Sequence, residues 1–333
     1  MGGISNSKQF APIWVRCLSK LLVISTLVLI FAGALVKSHE VGLSVPDWPT
    51  SYGYQMFSFP LTDMIGGIFY EHGHRMIATV VGFMTLVLAF TIYYTDHRLW
   101  LKKTAFFALG LVIIQGLFGG LTVLLFLPTP ISVIHAILAQ TFLMVTIFIS
   151  YGLSKERANR MSNESIGYNI LRFPTHLVTS IVFIQLIIGA IMRHTNSGLA
   201  IPDFPLSGGF IIPTFNQEMV NTIQSMQFES GIPFVTLNQI IIHYFHRMGA
   251  IAVAISIGWL TLKIIQSKIR NERIYRLTGC LITLLIIQIT LGAFTIWSVK
   301  EPFITSIHVV NGAVILGVST LFILRVSPVK LSW

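Results

Sequence analysis

Charged residues are scarce in this chain, and their scarcity indicates its class before any motif is considered. Only 10% of the 333 residues are Asp, Glu, Lys or Arg, whereas a soluble domain has about 25%. Hydrophobic residues make up 54% of the chain, and the mean hydropathy is +0.77. An ordinary soluble domain is excluded by this composition. We therefore expect an integral membrane protein.

Cysteine is also nearly absent. The two cysteines, Cys17 and Cys280, stand far apart at the start of two apolar runs. Neither a disulfide framework nor a Cys-x-x-Cys metal site can be built from such a pair. We interpret both cysteines as packing residues.

Apolar runs near 20 residues long can cross a bilayer as helices. Eight such runs are present, at about 17–36, 73–94, 104–126, 131–152, 174–193, 240–262, 277–298 and 304–325. No proline lies inside any of these predicted spans, since Pro174 falls at a boundary. The sequence therefore predicts eight uninterrupted transmembrane helices.

The basic residues are placed unevenly along the chain. Of the 22 Lys and Arg residues, all lie in the termini or in every second connection between spans, except Lys37, Arg75, Arg193, Arg247 and Lys300. Because basic residues concentrate in cytoplasmic loops, we predict that both termini are cytoplasmic. The net charge of +10 is then an orientation signal, and no nucleic-acid partner is expected.

The two halves of the chain repeat each other. Gly-Leu-Ser-Val-Pro-Asp-Trp-Pro at 42–49 matches Gly-Leu-Ala-Ile-Pro-Asp-Phe-Pro at 198–205, and the Gln- and Gly-containing segment at 115–122 matches 288–295. Each half has four spans, an even number, so both copies share one orientation. This arrangement predicts a pseudo-twofold axis along the membrane normal.

The repeat predicts a fold class and a domain division. We expect an all-α membrane protein made of two duplicated four-helix bundles. The predicted units are an N-terminal half at 1–155, a cytoplasmic linker at 156–172 and a C-terminal half at 173–333. Two long connections, at about 37–70 and 194–239, contain too many Gly and Pro residues for a continuous helix. Their length predicts that they cover something at the outer face.

Four histidines lie at matched positions near the outer ends of predicted spans. His74 and His246 belong to the second span of each half, and His135 and His308 to the fourth, at separations of 61 and 62 residues. Second and fourth helices of a four-helix bundle run parallel, so each pair can converge on one interior point. Two facing imidazoles suit a haem iron. The alternative, four unrelated polar groups, is disfavoured by the duplication.

Small residues of the third span in each half have two interpretations. They either allow a flat macrocycle to approach the backbone or allow two helices to pack closely. The residues concerned are Gly116, Gly119, Gly120 and Gly292.

Arginine follows the first histidine of each pair. Arg75 and Arg247 can pair with haem propionates, or they can extend to the membrane interface. Both interpretations stay open on the sequence alone.

Glu71 marks a difference between the halves. It lies three residues before His74, on the same helical face, whereas the aligned residue of the second half is His243. The carboxylate is either a functional group beside the histidine or an acidic residue stabilised by the helix dipole. His72 and His243 are further candidates for pocket neighbours.

At these residues the sequence resembles the haem A synthase family, whose members convert haem O to haem A for cytochrome oxidase. The resemblance covers nearly the whole chain and rests on the segments at 42–49 and 71–75, the third span and the four histidines. It implies an oxidoreductase that hydroxylates the porphyrin C8 methyl twice, after which loss of water leaves a formyl group. Some members carry a cysteine pair in an outer loop. Neither loop here has one, so the chain resembles the cysteine-poor branch of proteobacteria and mitochondria.

The resemblance also implies roles for individual residues. His74 and His135 would face the iron of the substrate haem O, with Glu71 acting at the reacting methyl. His246 and His308 would ligate the iron of a haem b cofactor.

The resemblance further implies a location and partners. It places the protein in the cell inner membrane, surrounded by lipid, with the haem sites toward the periplasm. The implied partners are haem O synthase (protohaem farnesyltransferase) and cytochrome oxidase assembly factors. The sequence leaves open whether the chain forms a homo-oligomer.

Two other functions fit parts of the sequence. One is a di-haem b-type electron carrier that does no chemistry on its haem, but its two haems should lie near opposite membrane faces. The other is a transporter built from repeats, such as a haem transporter, in which broken helices near the midplane are expected. The clustering of histidines near one face and the absence of internal prolines argue against both.

Overall fold

The computed structural model describes residues 11–160, 168–229, 231, 233–267 and 269–328. Ten α-helices are present in these ranges: α1 (Ile13–Ser38), α2 (Gly66–Thr95), α3 (Leu99–Leu124), α4 (Thr129–Gly152), α5 (Lys155–Asn159), α6 (Asn169–His194), α7 (Gln217–Glu229), α8 (Leu237–Gln266), α9 (Glu272–Trp297) and α10 (Pro302–Val326). All except α5 and α7 are long and apolar enough to cross a membrane. The predictions of an all-α membrane fold and of eight spans are confirmed.

Local signals set several helix ends. Pro302 is the first residue of α10, where its missing amide N–H leaves no intrahelical bond unmade. Thr236 and Gln239 form a capping box that begins α8. The side chain of Asn271 accepts a hydrogen bond from the amide of Arg273 and begins α9.

Two predictions about local structure were wrong. α6 begins at Asn169 rather than near 174, so Pro174 lies inside the helix, although close to its start and far from the midplane. Cys17 and Cys280 are exposed on the helix surface rather than packed inside. The second long connection is not a continuous helix, as predicted, but it contains one short helix, α7, whose buried Met219 and Ile223 pack in a small apolar cluster with Ile201.

Each half packs its four long helices against one another. α1 lies against α2 and α3 against α4, and in the second half α6 lies against α8 and α9 against α10. α10 also contacts α1 and α4, and 50% of its most apolar stretch is buried, compared with 17–33% in the other seven spans. α10 is therefore the central helix, and the exposed apolar side chains of the others face lipid.

The predicted linker at 156–172 is described only in part. Residues 161–167 lie outside the described residues, and the described remainder contains α5 and the first turn of α6. Both chain termini, for which a cytoplasmic location was predicted, also lie outside the described residues.

The two long connections lie at one face of the bundle, which we call the loop face. The ammonium group of Lys37, at the end of α1, lies 3.4 Å from the side-chain oxygen of Asn196, just beyond α6. Arg193 in turn donates a hydrogen bond to the Ser38 hydroxyl, at 2.9 Å. The ends of α1 and α6 are therefore adjacent, and the residues that follow them, 39–65 and the described part of 195–236, cover the same face.

Candidate functional site

The same turn occurs in both loops. Asp47 accepts hydrogen bonds from the amides of Tyr52 and Gly53, and Asp203 accepts them from Gly208 and Gly209. Each turn also contains a cis peptide bond before proline, Trp48–Pro49 and Phe204–Pro205. Burial alone would raise the pKa of Asp47, but the hydrogen bonds from the Gly53 amide, the Thr50 hydroxyl and the Tyr52 amide hold that pKa at about 2.

Arg75 and Arg247 attach these loops to the helices. Arg75 donates hydrogen bonds to the backbone carbonyl oxygens of Val45, Asp47 and Thr50, at 2.7 to 3.0 Å. Arg247 does the same at the aligned positions, which are Ile201, Asp203 and Leu206. In this structure the terminal nitrogens of both arginines are therefore bonded to the loops.

Glu71 and His243 accept the same backbone hydrogen bond in their respective halves. The Val45 amide donates to the Glu71 carboxylate at 2.9 Å, and the aligned Ile201 amide donates to Nδ1 of His243 at 3.2 Å. The other carboxylate oxygen of Glu71 pairs with Arg75 at 2.6 Å. Both acceptors are buried. The Glu71 carboxylate is thus part of the loop attachment, which the sequence had not indicated.

The two remaining candidates among the histidines have different surroundings. His72 is bonded through Nδ1 to the Ser51 hydroxyl at 2.8 Å, and its ring lies tilted beside Phe59 with the ring centres 4.9 Å apart, so it supports the first loop. His243 lines the cavity of the second half that is described below.

Each of the four paired histidines lies against a glycine of the preceding span. A Cβ atom added at Gly33, Gly119, Gly189 or Gly292 would lie 3.0 to 3.3 Å from the ring of His74, His135, His246 or His308, respectively. A side chain at these positions would push the imidazole aside. The predicted close approach at Gly119 and Gly292 therefore serves the imidazoles themselves.

The other two glycines singled out in the sequence behave differently. A Cβ atom at Gly120 would lie 2.5 Å from the ring of Trp48, so this glycine accommodates the first loop. Nothing lies within 4 Å of the corresponding position at Gly116.

Three glutamines hold three of these histidines, each from a position four residues before the glycine. The Gln185 amide nitrogen lies 2.8 Å from the backbone carbonyl oxygen of His246 and 3.1 Å from its ring Nδ1. Gln115 and Gln288 bind the backbone carbonyl oxygens of His135 and His308 in the same way, but their amide nitrogens lie 3.4 and 3.2 Å from the ring Nε2 rather than from Nδ1. The sequence signal for these glutamines is a repeated Gln-x-x-x-Gly pattern, at 115–119, 185–189 and 288–292. At the aligned position of α1 the residue is Leu29, so His74 has no such glutamine.

His246 and His308 face each other with ring centres 6.4 Å apart. A metal–imidazole bond is about 2 Å long, so two imidazoles on opposite sides of one ion have their centres roughly 6 Å apart. Both rings line a cavity of about 850 Å³ that also contains Gln185, Gln288 and Gly292. Cofactor pockets measure roughly 300 to 1,000 Å³. The cavity therefore has the size and the paired nitrogens that a haem requires.

One ring nitrogen of His308 and one of His135 lack a hydrogen-bond partner. They are the buried Nδ1 atoms, which lie 3.7 and 3.8 Å from the Cβ positions of Gly292 and Gly119. A buried polar atom without a partner is costly. His135 thus repeats in the first half what His308 does in the second.

The histidine geometry and the covered loop face define a class of protein. The chain is a multi-pass membrane protein with paired, glycine-seated histidines near one face of its helix bundle. The model of the COX15-CtaA family, described as "Cytochrome oxidase assembly protein", matches residues 16–320. The chain therefore belongs to this family.

Individual proteins similar to this chain share one name. A protein named "Heme A synthase" from Listeria monocytogenes serotype 4a (strain HCC23) is 26% identical, with 90% of each chain covered. Proteins of the same name from Shewanella oneidensis and Orientia tsutsugamushi (strain Ikeda) are 27% and 23% identical. They cover 83% and 93% of this chain and 85% and 96% of their own length, respectively. The family suggested by the sequence motifs is thus confirmed.

Proposed function

We propose that this chain is a haem A synthase, an oxidoreductase that converts haem O to haem A. The reaction consists of two successive hydroxylations of the porphyrin C8 methyl and a loss of water that leaves the formyl group. The single observation that carries the proposal is the His246–His308 pair in its cavity, in a chain whose relatives are named "Heme A synthase".

The second half is the proposed site of a haem b cofactor. Bound there, haem b would supply one-electron redox chemistry. His246 and His308 would be its axial ligands. Gln185 and Gln288 donate to the backbone carbonyl oxygens of His246 and His308, and their amide nitrogens lie beside the two rings. These contacts fix the position of both imidazoles.

The first half is the proposed site of the substrate. His74 and His135 would bind the iron of haem O, and Glu71 is held one turn from His74 by Arg75 and the Val45 amide. A carboxylate fixed in this way can accept a proton or stabilise positive charge at the reacting methyl. Glu71, His74 and His135 are therefore the proposed catalytic group.

The loop face is proposed to be periplasmic and both termini cytoplasmic, in the cell inner membrane. The support is the basic residues of the opposite face, including Arg98, Arg160 and Arg276. Alkaline phosphatase fused after Ser58 or after Phe215 should be active in cells, and a fusion near Arg160 should be inactive. The reverse pattern would invert this topology.

The deciding experiment for the function has two measurements. The purified protein should contain haem b, identified by pyridine haemochrome and extraction chromatography, and its own optical spectrum should be that of a low-spin haem. A strain with this chain as its only haem A synthase should accumulate haem A, and a strain without it should retain haem O. Haem b without any haem A would favour the electron carrier, and the loss of both would reject a haem function.

In cells the proposed partners supply the substrate and use the product. Haem O synthase (protohaem farnesyltransferase) would deliver haem O, and cytochrome oxidase assembly factors would receive haem A. The support for the second partner is membership of a family described as "Cytochrome oxidase assembly protein".

A further inference from the structure

One face of α6 carries three polar or small residues in a row beside the second histidine pair. Gln185, Gly189 and Arg193 follow one another at four-residue spacing, which places them on the same helical face. Gln185 binds His246 and Gly189 lies against its ring, and all three residues line the cavity. Arg193 thus lies one turn beyond the imidazole, toward the loop face.

Arg193 has an unused hydrogen-bond donor in this place. Its Nη2 donates to the backbone carbonyl oxygen of Ala34 and to the Ser38 hydroxyl on α1. Its Nη1 is buried and has no hydrogen-bond partner. Among the described residues, no carboxylate lies within 4.0 Å of its guanidinium group. A buried cation without a countercharge is expensive, so the site is suited to an anion from outside the chain.

The surroundings favour a carboxylate as that anion. Lys37 and Lys300 line the same cavity, whereas Glu40 is the one acidic residue of its described lining. Arg247 also lines the cavity and its buried Nε has no partner, but both of its terminal nitrogens are already bonded to loop carbonyl oxygens. Arg193 is therefore better placed than Arg247 to donate from a terminal nitrogen to a new charged group.

We propose that Arg193 binds a propionate carboxylate of the macrocycle ligated by His246 and His308. Lys37, the aligned residue of α1, stands beside it as a second cation. The inference rests on the proposed haem b site, and it moves the propionate contact of the second half from Arg247 to Arg193. The function of Arg193 is binding and positioning of the cofactor, with no part in the chemistry at the methyl group.

The test compares two forms of the ligand in the purified full-length protein. Haem-free protein is reconstituted with haem b or with haem b dimethyl ester, which lacks the propionate charges. Arg193→Gln should weaken retention of haem b about tenfold, because a charge-assisted hydrogen bond is lost, and should leave retention of the ester unchanged. Arg193→Lys should restore most of the difference, and the midpoint potential should fall in Arg193→Gln alone.

A matched control is available at the opposite face. Arg160 also donates to a backbone carbonyl oxygen, that of Leu324, and also has a buried terminal nitrogen without a partner. Arg160→Gln should change neither retention nor potential. An equal loss of haem b and ester in Arg193→Gln would show that Arg193 supports only the packing of α6 on α1, and would overturn the proposal.

The outcome also separates this inference from the proposed function. If wild-type protein binds haem b and His246→Ala abolishes binding while Arg193→Gln has no effect, the inference alone fails. If wild-type protein binds no haem b, the proposed cofactor site itself fails.

Discussion

The two halves of this protein have the same framework and different side chains at the points that matter for chemistry. In both, an arginine binds three loop carbonyl oxygens, an aspartate closes the turn, and a glycine receives each imidazole. The differences are few. Glu71 stands where His243 stands in the second half, and Leu29 stands where Gln185 stands.

The packing of the second and third long helices also differs between the two halves. α2 packs extensively along α3, whereas α8 and α9 make much less contact with each other. Trp48 of the first loop lies on Gly120, and Phe204 of the second loop lines the open cavity instead. The two copies of the duplicated scaffold thus differ in a few contacts. Both imidazoles have a glutamine at the proposed cofactor site, and one imidazole lacks it at the proposed substrate site, as expected if the first ligand stays and the second leaves.

The largest effect should come from removing a histidine of either pair. His246→Ala or His308→Ala should abolish the low-spin haem b spectrum, because one axial ligand is lost. His74→Ala and His135→Ala should leave that spectrum intact and abolish formation of haem A. Optical spectra of the four purified variants and chromatography of haem extracts check the assignment. If all four variants lose haem b equally, the two histidine pairs do not have different roles.

Glu71 and His243 accept the same backbone hydrogen bond in the two halves, and replacing one by the other tests what the carboxylate contributes. Glu71→His gives the first half the residue of the second, and it still accepts the Val45 hydrogen bond. We expect haem b to remain and haem A formation to fall by a factor of about 10² to 10⁴, the usual contribution of a general acid or base. Glu71→Gln keeps a side-chain oxygen for the Val45 amide and removes only the negative charge. If Glu71→His and Glu71→Gln both form haem A at the wild-type level, Glu71 only attaches the loop.

Exchanging the residues at the aligned positions 185 and 29 tests whether the glutamine helps to retain haem b in the second half, while its absence lets haem A leave the first. Gln185→Leu should lower the affinity for haem b about 10- to 100-fold, as losses of groups that orient metal-bound histidines usually do. Leu29→Gln should slow the release of haem A from the first half, with haem b content unchanged. Titration of haem-free protein measures the first effect, and the haem A that copurifies measures the second. An unchanged affinity in Gln185→Leu would show that the glutamine has no part in ligation.

The smallest effect should follow from adding one methyl group beside an imidazole. Gly189→Ala places a Cβ atom 3.1 Å from the His246 ring, and displacement of the ring should cost about 1 to 3 kcal/mol. Gly33→Ala does the same to His74 and should reduce haem A but not haem b. Gly82→Ala is the control, because nothing lies within 4 Å of its Cβ position, and it should be neutral or slightly stabilising. Thermal unfolding and haem content distinguish the three variants. If Gly189→Ala behaves like the control, the close contact between Gly189 and the His246 ring does not position that imidazole.

Sequence motifs predicted much of this site but not its connections. The four histidines, Glu71 and the two arginines were found because polar residues are rare in the spans and recur at fixed separations. The glutamines were overlooked, although Gln115 and Gln288 lie in a repeated segment, because a neutral amide in a helix indicates no single partner. From the sequence, Arg193 was only one of five basic residues outside the predicted cytoplasmic segments. Its unpartnered nitrogen is a property of the packed structure.

By itself, the sequence determined the membrane class, the eight spans, the repeat and the residues able to ligate a metal. These follow from composition and periodicity, because hydrophobic length and rare polar groups act locally along the chain. Only the tertiary structure decided which side chain meets which. Glu71 binds Arg75 and the Val45 amide, and His246 faces His308 across a cavity. Such contacts join residues far apart in sequence, and their distances are set by how the helices and loops pack together.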